Sequence, residues 1–319
     1  MSICLCMETA ERILNRIALG RLRVDGRAGQ AVLSTCGTSQ KELNSAAGLL
    51  GLQGETLHAL VGGRGRRTHR GGIVSHVWTG SVAQDALIRI APGIYVASPE
   101  LNAMLMMRGR KKLHRAQILM SYCGLFAIDE SAEDGFVKRA PLTTVSKLRE
   151  CALRLRGEPC AKAMLEALEL TLECARSPME PRFALLFMVG RRQGGFGFEP
   201  PELNAVVPLS ADGSSIWGFN SIEGDIVWRG FGVIVEYNGR LRHVARYGED
   251  LTRANALRAS GYQVFLVTSQ QMRSARQMLV IGSLVAKGMG MPEPTLPERE
   301  RLQRLICEVM SYETPHITL

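Results

Sequence analysis

Apolar residues spaced by three and four across 8–19 (Glu-Thr-Ala-Glu-Arg-Ile-Leu-Asn-Arg-Ile-Ala-Leu) predict a short amphipathic helix. Residues 20–41 are Gly-rich and irregular. Short β-type runs follow at 57–61, 73–78, 87–90 and 94–97, divided by Gly and Pro. Ser98-Pro99-Glu100 then opens a helix through Met107, because Ser caps well and Pro suits the first turn. Helical spacing recurs at 113–123, 143–155 and 160–175. The second half has another rhythm. A helix runs from Ser177-Pro178-Met179-Glu180 to about Gly190, and 194–201 is a turn-rich connection. Strands are expected at 203–209, 216–219, 225–228 and 233–238. A helix over 248–260, stopped by Gly261, leads to an apolar strand at 262–268, and helices at about 270–287 and 297–312 follow. The fold class is therefore α/β. An α+β region spans 1–175, a central mixed sheet flanked by helices spans 176–290, and a last helical segment spans 291–319.

Composition narrows the class. The chain has 319 residues, 46% hydrophobic and 22% charged, which suits a globular protein. No run approaches the ~18 consecutive apolar residues of a membrane span, and 278–286 is broken by Gly282 and Ser283. The first six residues lack the basic region and cleavage site of a signal peptide, so a cytoplasmic location is expected. The eight cysteines form no C-x-x-C pair and read as small buried hydrophobes, with Cys4 and Cys6 as the candidates for exposure. The six histidines show no ligand spacing, so a structural zinc is not expected. Trp78, Trp217 and Trp228 read as packing residues, and Trp228 could also line a groove.

Net charge is +9, and it is clustered. One run is Arg64, Arg66, Arg67, His69 and Arg70, and a second is Arg108, Arg110, Lys111, Lys112, His114 and Arg115. A third, Arg240, Arg242, His243 and Arg246, follows the 225–238 segment. Such clusters serve phosphate binding through counterion release, or are simply solvated loops. The stretches Gly62-Gly-Arg-Gly-Arg-Arg and Gly190-Arg-Arg-Gln-Gly-Gly-Phe-Gly are not phosphate loops, because neither ends in Gly-Lys-Ser/Thr.

Chemistry concentrates in Asp225-Ile-Val-Trp-Arg-Gly-Phe-Gly-Val-Ile-Val-Glu236-Tyr-Asn238-Gly. Gly230 at the first centre of a two-residue loop predicts a type II′ turn, which sets Asp225 opposite Glu236. Opposed Cβ atoms lie about 4.5–5.5 Å apart, close enough for both carboxylates to share one cation. Alternation places Ile234, Glu236 and Asn238 on one face and Val233, Val235 and Tyr237 on the other. Oxygen ligands with no nearby Cys or His select Mg2+ or Mn2+. The alternative is a solvent-exposed pair satisfied by arginines across the strands.

Asp-x(10)-Glu-x-Asn on a hairpin, with an upstream helix glutamate, resembles the PD-(D/E)XK nuclease superfamily. Val-Glu-Tyr-Asn-Gly, then His243, Asp250-Leu-Thr-Arg253 and Gly261-Tyr-Gln-Val-Phe-Leu-Val-Thr268 resemble actinobacterial proteins with a very-short-patch-repair-like endonuclease domain. The resemblance covers 176–270. It implies a restriction-endonuclease-like fold, with Asp225, Glu236 and Glu180 as metal ligands and Asn238 orienting water or metal. Upstream, Gly72-Ile-Val-Ser-His-Val-Trp and Gly93-Ile-Tyr-Val-Ala-Ser-Pro-Glu resemble the middle of AbiEi-like antitoxin or regulator proteins, although no winged helix is legible in the first 60 residues. At the superfamily's third acidic or basic position this chain has Asn238. Either a nearby Arg substitutes there, or the site keeps only binding.

Several residues carry two readings. Ser177-x-x-Glu180 is also a capping box. Arg253 either pairs with Asp250 on its own helix or clamps phosphate together with Arg240, Arg242 and His243. Gln270 and Gln271 are expected to cap the helix after 268. The expected function is that of a metal-dependent DNA endonuclease-like protein hydrolysing phosphodiester bonds, with DNA as partner and no membrane. A catalytically silent nucleic-acid-binding or regulatory module is the alternative, and a protein partner through the N-terminal region is a third.

Overall fold

In the computed structural model, which describes residues 2–68, 71–238 and 244–312, contacts divide the chain into two units. One ends at Thr171 and the other begins at Leu172. Both mix helices with mixed sheets, as an α/β chain should.

The first unit is laid on a six-stranded sheet. Its strands are β1 (Ile3–Leu5), β2 (Gly26–Ala28), β3 (Leu57–Val61), β4 (Ile73–Val77), β5 (Leu87–Ala91) and β6 (Ile94–Ala97), in the order β2-β5-β6-β1-β3-β4. β1 was not anticipated. It is three residues long, parallel to β6 and antiparallel to β3, and wholly buried. Cys4 and Cys6 are therefore core residues at 0% exposure rather than surface thiols, and burial pushes both thiols up. The exposed cysteines are Cys174 and Cys307. The helices are α1 (Met7–Ala18), α2 (Gln30–Leu33), α3 (Gln40–Leu50), α4 (Pro99–Leu105), α5 (Lys112–Cys123), α6 (Val145–Arg154) and α7 (Pro159–Leu168), with a small hairpin of β7 (Phe126–Ile128) and β8 (Phe136–Lys138). Ser98 caps α4 as expected, accepting from the Leu101 amide. α3 lies where no helix was read, and α7 ends at Leu168, short of 175.

The second unit holds α8 (Met179–Met188), β9 (Glu202–Pro208), α9 (Ala211–Trp217), β10 (Ser221–Trp228), β11 (Val233–Asn238), α10 (Val244–Ala259), β12 (Gln263–Thr268), α11 (Ser269–Met272), α12 (Ala275–Gly288) and α13 (Arg299–Met310). Its sheet has the order β12-β11-β10-β9, antiparallel from β9 to β11, with β12 parallel to β11. Val207, Val227 and Ile234 meet Ala254, Ala256 and Leu257 of α10 on one face. On the other, Phe183 and Phe187 of α8 pack against Tyr237 and Trp228, with ring centroids 5.9 and 5.3 Å apart. Each such buried side chain contributes about 1.5–3 kcal/mol.

Three local expectations fail for identifiable reasons. The run 216–219 was read as strand, but Ser210 accepts from the Gly213 amide and Gly218 adopts φ +85°. Caps at both ends therefore make α9. The helix expected over 270–287 is two helices. Thr268 and Gln271 form a capping box for α11, and Ser274 caps α12 afresh. The hairpin loop is not type II′. Arg229–Phe231 make a 3-10 turn, and the left-handed residue is Gly232 at φ +64°. The loop therefore has four residues instead of two. Both loops centre on the same peptide, so the register is unchanged: Ile226↔Val235, Val227↔Ile234 and Trp228↔Val233.

Candidate active site

The ladder between β10 and β11 ends at Ile226↔Val235. Beyond it β10 stays paired with β9 as far as Ser221↔Pro208, and β11 stays paired with β12 as far as Asn238↔Thr268. Asp225 and Glu236 stand where β10 and β11 part. Their carboxylates replace the missing ladder bonds: Asp225 Oδ2 accepts from the Tyr237 amide at 2.8 Å, and Glu236 accepts from the amide of Asp225. Alternation from Ile234 sets Glu236 on the face covered by α10, whereas Ile222 and Val227 both reach that core, so the alternation of β10 breaks around Asp225.

Burial makes these acids unusual. Desolvation, then the Asp225 charge, pushes Glu236 up to about 8 against the pull of Arg253. Asp225 is raised for the same leading reason, with Glu223 and Asp250 adding to the rise. Arg253 is the cation that answers them. It meets both Glu236 oxygens, at 3.0 and 3.1 Å, and also donates to the Glu223 carbonyl. Arg253 thus serves β11 rather than pairing along its own helix. Asp250 instead accepts from Asn238 Nδ2 at 3.2 Å, which ties the end of β11 to α10.

Glu180 enters from α8 and is 7% exposed. Its oxygens accept from the Arg176 amide (2.9 Å), the Ser177 hydroxyl (2.7 Å) and Asn204 Nδ2 (2.5 Å). The expected capping box does not form: the glutamate accepts from the Arg176 amide and not from that of Ser177. Ser177 donates to the carboxylate itself instead of accepting a helix amide, because α8 begins at Met179 with Pro178 at its cap. Burial raises Glu180 to about 6, and the Asp225 charge contributes to that rise. The link between these acids is Asn204, which the sequence reading passed over. β9 pairs with β10 on either side of it, leaving Asn204 opposite Asp225 at φ +49°. Asn tolerates that left-handed conformation better than most residues, and an Asn inside an apolar strand is the one signal the sequence offered.

Set against family models, curated proteins and solved structures, the chain matches none.

Of the residues expected at the site, Asp225, Glu236 and Arg253 are brought together. Glu180 adjoins them through Asn204, and Asn238 is committed to Asp250. Arg240, Arg242 and His243 lie outside the described residues. Among the described residues no group of three or more His, Cys, Asp or Glu side chains is gathered as a metal cage. The donor set that remains, two hard carboxylates, matches how Mg2+ is usually held: one or two carboxylates, with waters and substrate phosphate completing the shell.

Proposed function

We propose that the second unit is a divalent-cation-dependent, endonuclease-like hydrolase of DNA phosphodiester bonds, built on a restriction-endonuclease-like fold. What carries the reading is one arrangement: two part-buried acids at opposed positions where β10 and β11 part, with Arg253 as the counter-ion to Glu236. The order of helix, three antiparallel strands, helix and parallel strand supports it, as does a glutamate on the first helix. Asp225 and Glu236 would hold Mg2+ or Mn2+, which when bound polarises a phosphoryl oxygen and acidifies a water. The Arg253 guanidinium, now on Glu236, would be free to take a phosphate oxygen if Glu236 held a cation, a contact that suits its fork. Glu180 accepts from Asn204, the residue opposite Asp225, and so fixes the strand beside it.

A second reading has its own observation. Asn238 adds no charge and is turned to Asp250, and Arg253 already neutralises Glu236. The same frame could therefore bind nucleic acid without cutting it. Plasmid nicking in Mg2+ or Mn2+ decides between the two. Cleavage that EDTA stops and that Asp225→Asn and Glu236→Gln each abolish supports hydrolysis. DNA binding indifferent to EDTA and to both substitutions, with no cleavage in either metal, overturns it.

A further inference from the structure

The +9 net charge is not shared between the units. Up to Thr171 there are 23 Lys and Arg against 15 Asp and Glu, or +8. From Leu172 onward there are 16 against 15, or +1. The unit proposed to do the chemistry is almost neutral, so long-range attraction for a polyanion must come from the other.

Two of the three basic runs lie within that unit, and although 37 residues separate them, the second is tied to β3 and β4, the strands that flank the first. Glu8, at the start of α1, makes the tie. Its Oε1 accepts from Arg110 at 2.7 Å, and its Oε2 lies 3.6 Å from His58 Nδ1 on β3. His58 Nδ1 in turn stands 2.9 Å from His76 Nε2 on β4, an edge strand of the sheet, with the two rings stacked. Burial first, then His58, then the guanidiniums of Arg108 and Arg67 push His76 down to about 4, although Glu8 pulls the other way. The pair is therefore neutral at physiological pH, and the local field is set by the guanidiniums. Both loops are pinned from beneath. Arg66 donates to the Thr35 carbonyl and Ser75 bonds Thr68 on one side, and Arg110 donates to the Met106 carbonyl on the other. Arg64, Arg67, Arg108 and Lys111 are left exposed above them.

We propose that the surface formed by the 62–68 and 106–111 loops, joined through Glu8, His58 and His76, is a docking site for the phosphate backbone of duplex DNA. Neither loop contains Phe, Tyr or Trp, so neither offers a platform for stacking unpaired bases. Neither exposes a large apolar side chain for insertion into a bilayer. What they present is guanidinium and ammonium, which contact phosphates without reading sequence. The proposal shares with the hydrolase reading only the choice of DNA as partner, and it does not depend on cleavage.

The test is fluorescence anisotropy of the full chain with a labelled 20-base-pair duplex in EDTA, where no hydrolysis occurs. Reversing Arg67→Glu with Arg108→Glu should weaken binding about tenfold or more at ~100 mM salt, and should flatten the slope of log affinity on log salt by about 2. Arg67→Gln with Arg108→Gln should give a smaller loss in the same direction. A control removing the same charge from α13, Arg299→Glu with Arg304→Glu, should change affinity less than about threefold. Absence of duplex binding, an equal loss in the control, or binding to phosphatidylserine vesicles in place of duplex overturns the proposal. Loss of nicking with intact binding in EDTA would sink only the hydrolase reading.

Discussion

The two units treat charge in opposite ways. The first carries nearly all of the net positive charge and exposes it on loops, whereas the second is close to neutral and buries acids with too few cations around them. Each unit nonetheless contains a glutamate raised to about 7 or above. Glu11 on α1 is raised to about 7 by burial and Glu8, although Arg139 and Arg110 pull it back. Glu236 is raised to about 8, with Asp225 as its acidic neighbour and Arg253 as its counter-ion. A raised carboxylate alone does not mark a cation site. What separates them is a second acid in register across a parted pair of strands.

The sharpest way to break that comparison is to mutate each unit and read both outputs. Asp225→Asn and Glu236→Gln should each lower metal-dependent nicking by about 1000-fold, comparable to losing a principal electrostatic element, while duplex affinity in EDTA stays within about twofold. A cleavage rate unchanged by either substitution would remove the distinction between the units.

Next in size is the packing that holds β10 and β11 in place. Trp228 is 2% exposed, stands edge-on to Phe187 and donates to the Glu199 carbonyl at 2.8 Å. Trp228→Ala should cost about 3–5 kcal/mol by urea denaturation. A cost under about 1 kcal/mol would mean the hairpin is not anchored there.

pH separates the two glutamates at moderate cost. Glu236 folded holds its proton up to about 8, against an ordinary 4.5. Between those values the unfolded chain binds fewer protons, so stability falls as pH rises. In EDTA, Glu236→Gln should remove roughly 1–4 kcal/mol of that alkaline loss. Glu11→Gln should remove a loss that is complete by about pH 7–8, since its folded value is about 7. Saturating Mn2+ should flatten the profile of wild type and of Glu11→Gln alike. If Mn2+ leaves the wild-type thermal melts unchanged at every pH, Glu236 is a buried acid like Glu11 and no more.

The smallest expected effect is at Asn238. Asn238→Asp adds a carboxylate on the Glu236 face, 3.2 Å from Asp250 in the parent contact. It should tighten Mn2+ binding about threefold while lowering metal-free stability slightly through like-charge repulsion. Weaker Mn2+ binding in this variant would show that position 238 faces away from the cation.

Much of this site was legible because one hairpin register sets Asp225 opposite Glu236. The register was drawn from a two-residue turn, and it holds because the four-residue loop that forms is centred on the same peptide, so Ile226 still pairs with Val235. The turn itself was misread because Gly230 and Gly232 are both available and only loop length decides which goes left-handed. α9 was missed because Ser210 and Gly218 outweigh a four-residue apolar run. Other features had no local signal at all. Asn204 reaches Glu180 across 24 residues, and His58 meets His76 from a neighbouring strand. Such contacts are properties of sheet order, which spacing along the chain does not encode.

The central claim is that a divalent cation takes the place of a proton between Asp225 and Glu236. Calorimetric titration with Mn2+ at pH 7, in buffers of differing ionisation heat, counts both cation and proton. The account expects one Mn2+ per chain with close to one proton released, both lost in Glu236→Gln. Saturation without proton release, or no binding at millimolar Mn2+, would contradict it.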